Sequence, residues 1–282
     1  EVQHHHGHAL AVMAEHHLDG KCLAVIFDGT GFGTDGTVWG GEFLLCEDRS
    51  FIRVGAVKPI SMISGDESVR QAWKSLLCHL VHSGIPSDDK RAAVVKAAVA
   101  GGLNTVKSSS MGRLFDAVSA ALGLADYNTY QGRCAMLLEN QAALAKRERK
   151  IPTKLSFNEE VVETKNGSVT FFDPAPLWEK VMGEDKAAAA LGFHEAVIRI
   201  VERMSEKTGV ETVILSGGCF ANRLLLEGCV EALKGKGHAV YWNQALPPGD
   251  GGLAFGQAWY GMNTANERKS YVCSISGACG NH

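Results

Sequence analysis

The run Leu23-Ala24-Val25-Ile26-Phe27-Asp28-Gly29-Thr30-Gly31-Phe32-Gly33-Thr34-Asp35-Gly36-Thr37-Val38-Trp39-Gly40-Gly41-Glu42-Phe43-Leu44-Leu45 decides the fold. Its first five residues, apolar without alternation, read as a buried strand. The turn-rich stretch from Asp28 to Gly36 follows, and then a Val/Trp/Phe/Leu segment that reads as a second strand. Inside the turn, Gly31 to Gly36 matches the GxGxxG pattern of dinucleotide-binding loops. That chemistry needs a helix after the glycines, whose N-terminus receives the pyrophosphate. A strand follows here, so the dinucleotide reading fails its own context test. What remains is a glycine-rich hairpin, which still lets backbone N–H groups approach a phosphate.

Outward from that hairpin, Phe51 to Val57 reads as a third strand, and residues 4 to about 18 as a helix whose Leu10, Met13 and Ala14 share one apolar face. From about Glu67 to Leu144 the pattern is helical, with breaks at Ser83-Gly84-Ile85-Pro86 and around Gly101-Gly102. Two short strand-like pieces flank Lys165-Asn166-Gly167, a hairpin signal. Helices resume at Pro176 to Met182 and Glu184 to Lys207. Then strand Thr212 to Leu215, helix Asn222 to Lys234, strand His238 to Trp242 and helix Gly252 to Tyr260 alternate. Three antiparallel strands followed by helix, strand, helix, strand, helix is the order of one lobe of the actin-like (ASKHA, ribonuclease H-like) α/β class, here with a large helical insertion. The residues from Asn263 onward read as a loosely ordered tail.

Composition narrows the function. The chain has 282 residues, 45% of them hydrophobic, enough for a substantial core and against intrinsic disorder. Its formal charge of −3 is too balanced for a broad electrostatic landing strip, so neither nucleic acid nor an anionic membrane is expected as a partner. No apolar run approaches the roughly 20 residues of a membrane-spanning helix. A cytoplasmic protein is the expectation. The 8 cysteines are scattered, mostly in apolar runs and without a CxxC pair, which fits reduced thiols better than a disulfide framework.

The 11 histidines and 32 glycines stand out. His4 and His8 are four apart, which places both imidazoles on one helical face where they can share a metal ion, while His5 and His6 point elsewhere. A solvated, histidine-rich helix end is the competing reading. Metalloprotease chemistry is disfavoured, because His5 stands where a zincin has its water-activating Glu. Asp28 and Asp250, at strand ends or loop starts, could complete a His/His/Asp/Asp set suited to iron or zinc. Ser216-Gly217-Gly218-Cys219-Phe220-Ala221-Asn222 joins a strand to a helix, a junction that favours an anion or nucleotide, though Asn222 also fits a simple N-cap. Pro247-Pro248-Gly249-Asp250-Gly251-Gly252 is a second junction, with a rigid turn as its plainer reading. Both lie at successive strand ends of one sheet, where α/β ligand sites collect.

Several motifs together carry a family resemblance: Val2-Gln3-His4-His5-His6-Gly7-His8, Phe27 to Glu42, Ser109-Ser110-Met111-Gly112-Arg113-Leu114-Phe115-Asp116-Ala117-Val118, Ser216-Gly217-Gly218 with Asn222, and Pro247-Pro248 before Asp250-Gly251-Gly252. From residue 2 to about 262 the chain resembles the C-terminal, TsaD-like domain of HypF, the carbamoyltransferase family of nickel–iron hydrogenase maturation. The resemblance implies an enzyme that moves the carbamoyl group of carbamoyl-adenylate, made elsewhere in the full-length enzyme from carbamoyl phosphate and ATP, to the C-terminal cysteine of HypE. It implies metal ligands His4, His8, Asp28 and Asp250, holding iron or zinc. It places Asp28, Gly29 and Thr30 at the phosphate or carbamoyl end, with Asp28 and Thr30 as the catalytic pair. Asp116, Gly132, Gly217, Gly218 and Asn222 match nucleotide-binding positions.

The resemblance also divides the chain. Residues 1–20 correspond to a metal-ligand helix left from a first lobe, 21–262 to the second lobe with a helical insertion at about 67–207, and 263–282 to the tail. Most of the first lobe, and the acylphosphatase-like, zinc-finger and carbamoyl-adenylate-forming regions of a full-length member, have no counterpart. Two other readings stand beside this one. The sister tRNA threonylcarbamoyl-transfer family shares fold and metal, and a non-catalytic module docking HypE would need the same surface. Cys219, tight against a glycine turn, reads as packing, and Cys273 and Cys279 as idle.

Overall fold

The computed structural model describes residues 1–276 apart from 48, 64–65, 166 and 184, and the side chains of these save 66 and 265–276. The elements in order are α1 (His4–Glu15), β1 (Lys21–Phe32), β2 (Val38–Glu47), β3 (Ser50–Val57), β4 (Ile60–Ile63), α2 (Asp66–Arg70), α3 (Ala72–Ser83), α4 (Ala92–Ala100), β5 (Thr105–Ser108), α5 (Met111–Ala121), α6 (Arg133–Arg147), β6 (Asn158–Thr164), β7 (Gly167–Asp173), α7 (Trp178–Val181), α8 (Lys186–Thr208), β8 (Thr212–Ser216), α9 (Arg223–Gly235), β9 (Ala239–Trp242) and α10 (Leu253–Ser276).

β1, β2 and β3 form an antiparallel meander, β8 joins β1 in parallel and β9 joins β8 in parallel. The main path is β6-β7-β3-β2-β1-β8-β9. This is the order expected of an actin-like lobe. β1 is central because it is apolar on both faces. Leu23, Val25 and Phe27 enter the large core shared with α5, α8 and α9, while Cys22, Ala24 and Ile26 enter a second core with α1. The same period of two places the next residue, Asp28, on the α1 side of the sheet.

Several expectations need correction. α1 was to bury one stripe, yet every residue from His5 to Ala14 is buried, because the sheet takes one side of the helix and α10 packs along another. α10 runs past Tyr260 to Ser276 instead of giving way to a loose tail from Asn263. The side chain of Cys273 and the whole of Cys279 lie outside the described residues. Two additional strands form, β4 just before the helical insertion and β5 within it: β5 pairs Ser108 with Ile60 on one side and with Val38 on the other. Four residues as polar as Thr105-Val106-Lys107-Ser108 have no strand signal of their own, and the pairing comes from neighbours brought close by the chain. The hairpin around residues 165–167 forms as β6–β7 and extends the sheet beside β3.

Candidate active site

α1 is fixed at both ends to the parts that complete the site. At its start, Gln3 Oε1 accepts from His6 N–H (2.8 Å) as the cap, and Gln3 Nε2 donates to Phe32 O at the end of β1 (3.0 Å). At its finish, His16 Nε2 lies 2.8 Å from Trp242 O, and Glu15 Oε1 accepts from Gln244 and Ala245 N–H (2.9 and 2.7 Å). The loop that carries Asp250 is thereby held to the helix that carries the two histidines. The junction after β8 meets the same loop, since Gly217 N–H donates to Pro248 O (3.0 Å).

The second determinant is a break in the β1–β2 ladder. Phe27 pairs with Gly41 and Gly31 with Trp39, so Asp28, Gly29 and Thr30 together face Gly40 alone. This bulge lifts Asp28 out of the sheet. It needs room on all sides: a Cβ on Gly40 would lie 2.6 Å from Asp28 O, and one on Gly217, where φ is +97°, would lie 2.4 Å from Phe27 O. Ser110, the N-cap of α5, donates to Gly29 O (2.6 Å) while accepting from Arg113 N–H (3.1 Å), which ties the bulge to that helix.

His4, His8, Asp28 and Asp250 converge. Four candidate ligand atoms lie within 4.8 Å of one another. His4 Nε2 is 3.4 Å from both Asp28 Oδ2 and Asp250 Oδ1, and His8 Nε2 is 3.2 and 3.6 Å from the same two oxygens. A tetrahedron with arms of about 2.1 Å has edges of about 3.4 Å, so the donor spacing suits one small divalent ion. His8 Nε2 is buried and faces Asp28 Oδ2 across 3.2 Å, so an imidazole nitrogen and a carboxylate oxygen are held together in the interior at the spacing a shared cation needs. His5 and His6 turn away as expected, against Trp39 and Phe51. Burial pushes His5 down to about 3 and His6 to about 4, so both are neutral at physiological pH.

Electrostatics agree with a cation site. Burial by itself would raise the Asp28 carboxyl, but His4, His8 and the Gly29 N–H outweigh it and hold Asp28 well below the usual carboxylate range. Its hydrogen bond to Asp28 raises His4, against the opposing effect of burial. Burial, reinforced by Asp28, pushes the Cys219 thiol well up, which fits packing and not a nucleophile.

The remaining residues named from sequence are placed as follows. Thr30 is exposed at the crest of the bulge, and Gly217 and Gly218 form the opposite lip, where a Cβ on Gly218 would come within 3.1 Å of Asp28 Oδ1. Gly132 caps α6 and faces open space. Asp116 is 0% exposed, its carboxylate 3.1 Å from Asn128 Nδ2 and 2.8 Å from Arg113 Nη2, and burial raises it more than these partners lower it. Asn222 caps α9 through Leu225 N–H (2.9 Å) and lies 2.9 Å from His194 Nε2 through its amide nitrogen. Asp116 is thereby tied to Arg113 of its own helix and to Asn128 in the loop before α6, and Asn222 to α8 and α9. Sequence reasoning passed over Glu42, Arg53, Ser110 and His194. The signal for Glu42 was a single charged residue in an otherwise apolar run.

A meander with two parallel strands added beside it, and a histidine/aspartate quartet over the strand ends, define an actin-like lobe with a candidate cation site. The family model described as "Carbamoyltransferase, Kae1-like Domain, second subdomain" matches residues 24–257. The carbamoyltransferase HypF of Rhodobacter capsulatus is 36% identical over 277 residues, covering 91% of this chain and 35% of that protein. A carbamoyltransferase HypF homolog of Cupriavidus necator is 32% identical and covers 92% of this chain and 69% of that protein. The crystal structure of full-length HypF in the phosphate- and nucleotide-bound form superposes with a TM-score of 0.81 at 31% identity, over 94% of this chain and 36% of that one. The chain belongs to the HypF carbamoyltransferase family, and spans about a third of the length of most curated relatives it matches. No helix among the described residues is long and apolar enough to cross a membrane.

Proposed function

We propose that this chain is the domain of a HypF-type enzyme that passes a carbamoyl group from carbamoyl-adenylate to the C-terminal cysteine of HypE. The single observation that carries the reading is the quartet His4, His8, Asp28 and Asp250, whose candidate ligand atoms lie within 4.8 Å of one another. These four residues would hold iron or zinc, and such an ion supplies Lewis-acid stabilisation of negative charge on oxygen.

The chain's own residues have three tasks. The Asp28-Gly29-Thr30 bulge and the Gly217-Gly218 lip present backbone within reach of the phosphoryl-carbamoyl end, Thr30 adding an exposed hydroxyl. Gly132 leaves open space for the nucleoside, while Asp116 and Asn222 keep α5 and α9 in place. Orientation does the rest: the adenylate is a mixed anhydride with a good leaving group, so holding it beside the thiolate is the main requirement. The incoming sulfur forms the C–S bond, the C–O bond to phosphorus breaks, AMP leaves, and the thiol proton goes to solvent. No cysteine of this chain is needed, and the raised Cys219 thiol does not compete.

The test supplies carbamoyl-adenylate and HypE to the 282-residue chain loaded with iron or zinc. AMP release matched by carbamoylated HypE is the expected result. HypE binding without AMP release would leave a docking module instead, and carbamoyl chemistry on tRNA in place of HypE would favour the sister family.

A further inference from the structure

The bulge that raises Asp28 leaves a debt of hydrogen bonds on the neighbouring strand. Gly40 faces three residues that have withdrawn from the ladder, and buried backbone N–H groups require partners. Gly40 N–H donates instead to Oε1 of Glu42 in its own strand (3.1 Å), and Gly41 N–H donates to the same oxygen (3.3 Å). The Ser109 hydroxyl donates to it as well. Glu42 is 0% exposed and its other oxygen accepts from Arg53 Nε (2.7 Å). Arg53 is held in turn by Asp35 Oδ2 (3.0 Å) and lies 4.3 Å above the ring of Trp39, while Trp39 Nε1 donates to Asp35 Oδ1 (3.0 Å).

Stability gives little reason for this arrangement, because a buried ion pair is often no better than a well-packed apolar pair of the same size. Its location gives a stronger one. The partners of Glu42 flank the bulge: Gly40 packs directly under Asp28 O, and Ser109 precedes Ser110, which holds Gly29 O. We propose that Glu42 is a positioning residue for the metal ligand Asp28, accepting from the Gly40 and Gly41 N–H groups beside the bulge and keeping the carboxylate raised toward His4, His8 and Asp250. Arg53, clamped by Asp35 and Trp39, fixes the Glu42 carboxylate in the one orientation that serves both glycines. This rests on the metal reading above. An apolar residue at 42 would leave the Gly40 N–H without its acceptor and loosen the backbone that packs against Asp28 O.

The experiment titrates the 282-residue chain and its variants with zinc against a chromophoric chelator, and follows thermal unfolding of each metal-free protein. Glu42→Gln turns one acceptor into a donor facing either Arg53 or the glycines. It is expected to weaken zinc binding roughly 10- to 100-fold while the protein stays folded, the size of loss typical when a partner that orients a ligand is removed. Arg53→Lys keeps the charge and loses the fork, for a smaller loss of about threefold or more. His8→Ala, the ligand control, abolishes binding. If the unaltered chain takes up no zinc that His8→Ala loses, the metal reading itself fails. If the unaltered chain binds and folded Glu42→Gln binds within about twofold of it, the metal reading stands and the positioning role is overturned. Should Glu42→Gln not fold, Arg53→Lys decides: weakened binding supports the role and unchanged binding overturns it.

Discussion

Two polar clusters, each built around a buried histidine, sit on opposite sides of the central strand. On the α1 side, His4 and His8 meet Asp28 and Asp250, and His8 Nε2 is left without a hydrogen bond among the described residues. On the other side, His194 has both nitrogens engaged, with Ala190 O at 2.8 Å and Asn222 Nδ2 at 2.9 Å, and Asn222 completes the chain by capping α9. Asn128 does likewise, bridging Asp116 Oδ1, Val69 O and Cys134 N–H. One histidine–aspartate cluster is open and the other histidine–amide cluster is closed on itself. A closed network is a brace, whereas an open one of matched donor atoms awaits a ligand.

The contrast is most directly broken at its two histidines. His8→Gln, which keeps most of the buried side-chain volume, is expected to lower affinity for zinc or iron by more than about 100-fold while changing the metal-free stability by no more than about 1 kcal/mol. A calorimetric titration paired with urea unfolding reads both quantities. Equal loss of stability and of binding would show that the cluster is a brace after all.

Next in size comes pH. Burial pushes His194 down to about 4 from an ordinary value of 6.5, so the unfolded chain binds the extra proton first as pH falls. Its contribution to stability is therefore complete above about pH 6.5 and is lost as pH falls toward 4, by about 3 kcal/mol. His4, raised by Asp28, has the opposite sign: its contribution is complete below about 6.5 and is lost as pH rises through the raised folded value. Urea midpoints between pH 4 and 7 should fall on acidification, and less steeply in a folded His194→Gln variant. An unchanged slope would remove His194 from the account.

Smaller still is Asn222→Ala, which removes a cap and strands the His194 nitrogen. It should cost about 2 kcal/mol of stability and leave zinc affinity within about threefold. The smallest effect on folding belongs to Asp250→Asn. The Asp250 side chain is 75% exposed, so stability should hold within about 0.5 kcal/mol while zinc affinity drops roughly tenfold. Loss of folding there would mean that the loop, and not its carboxylate, is what matters.

Much of this was legible before the coordinates. The unbroken apolar run from Leu23 to Phe27 announced a strand buried on both faces, and a strand after Gly36 was enough to dismiss the dinucleotide motif. The spacing of His4 and His8 made a shared ligand plausible because helical periodicity is a local property. The partners of Asp116 and Asn222 were harder to see, since a carboxylate inside a helix and an amide at a glycine-rich junction look the same in sequence whether they face a cleft or a neighbouring element. β5 was invisible for a related reason: its four residues become a strand only between Ile60 and Val38.

By itself the sequence determined the order of elements, the hairpin at Asp28, the one-faced pair of histidines and the membership of the family, because periodicity, turn chemistry and motif order are written along the chain. Tertiary structure decided the rest. It brought Asp250 to His4 across nearly the whole chain, made α1 buried throughout by placing α10 against it, and turned Glu42 from a charge in an apolar strand into the acceptor for Gly40. Whether a polar group is open or closed depends on who its neighbours are in space, and hydrogen-bond partners separated by scores of residues leave no periodic trace.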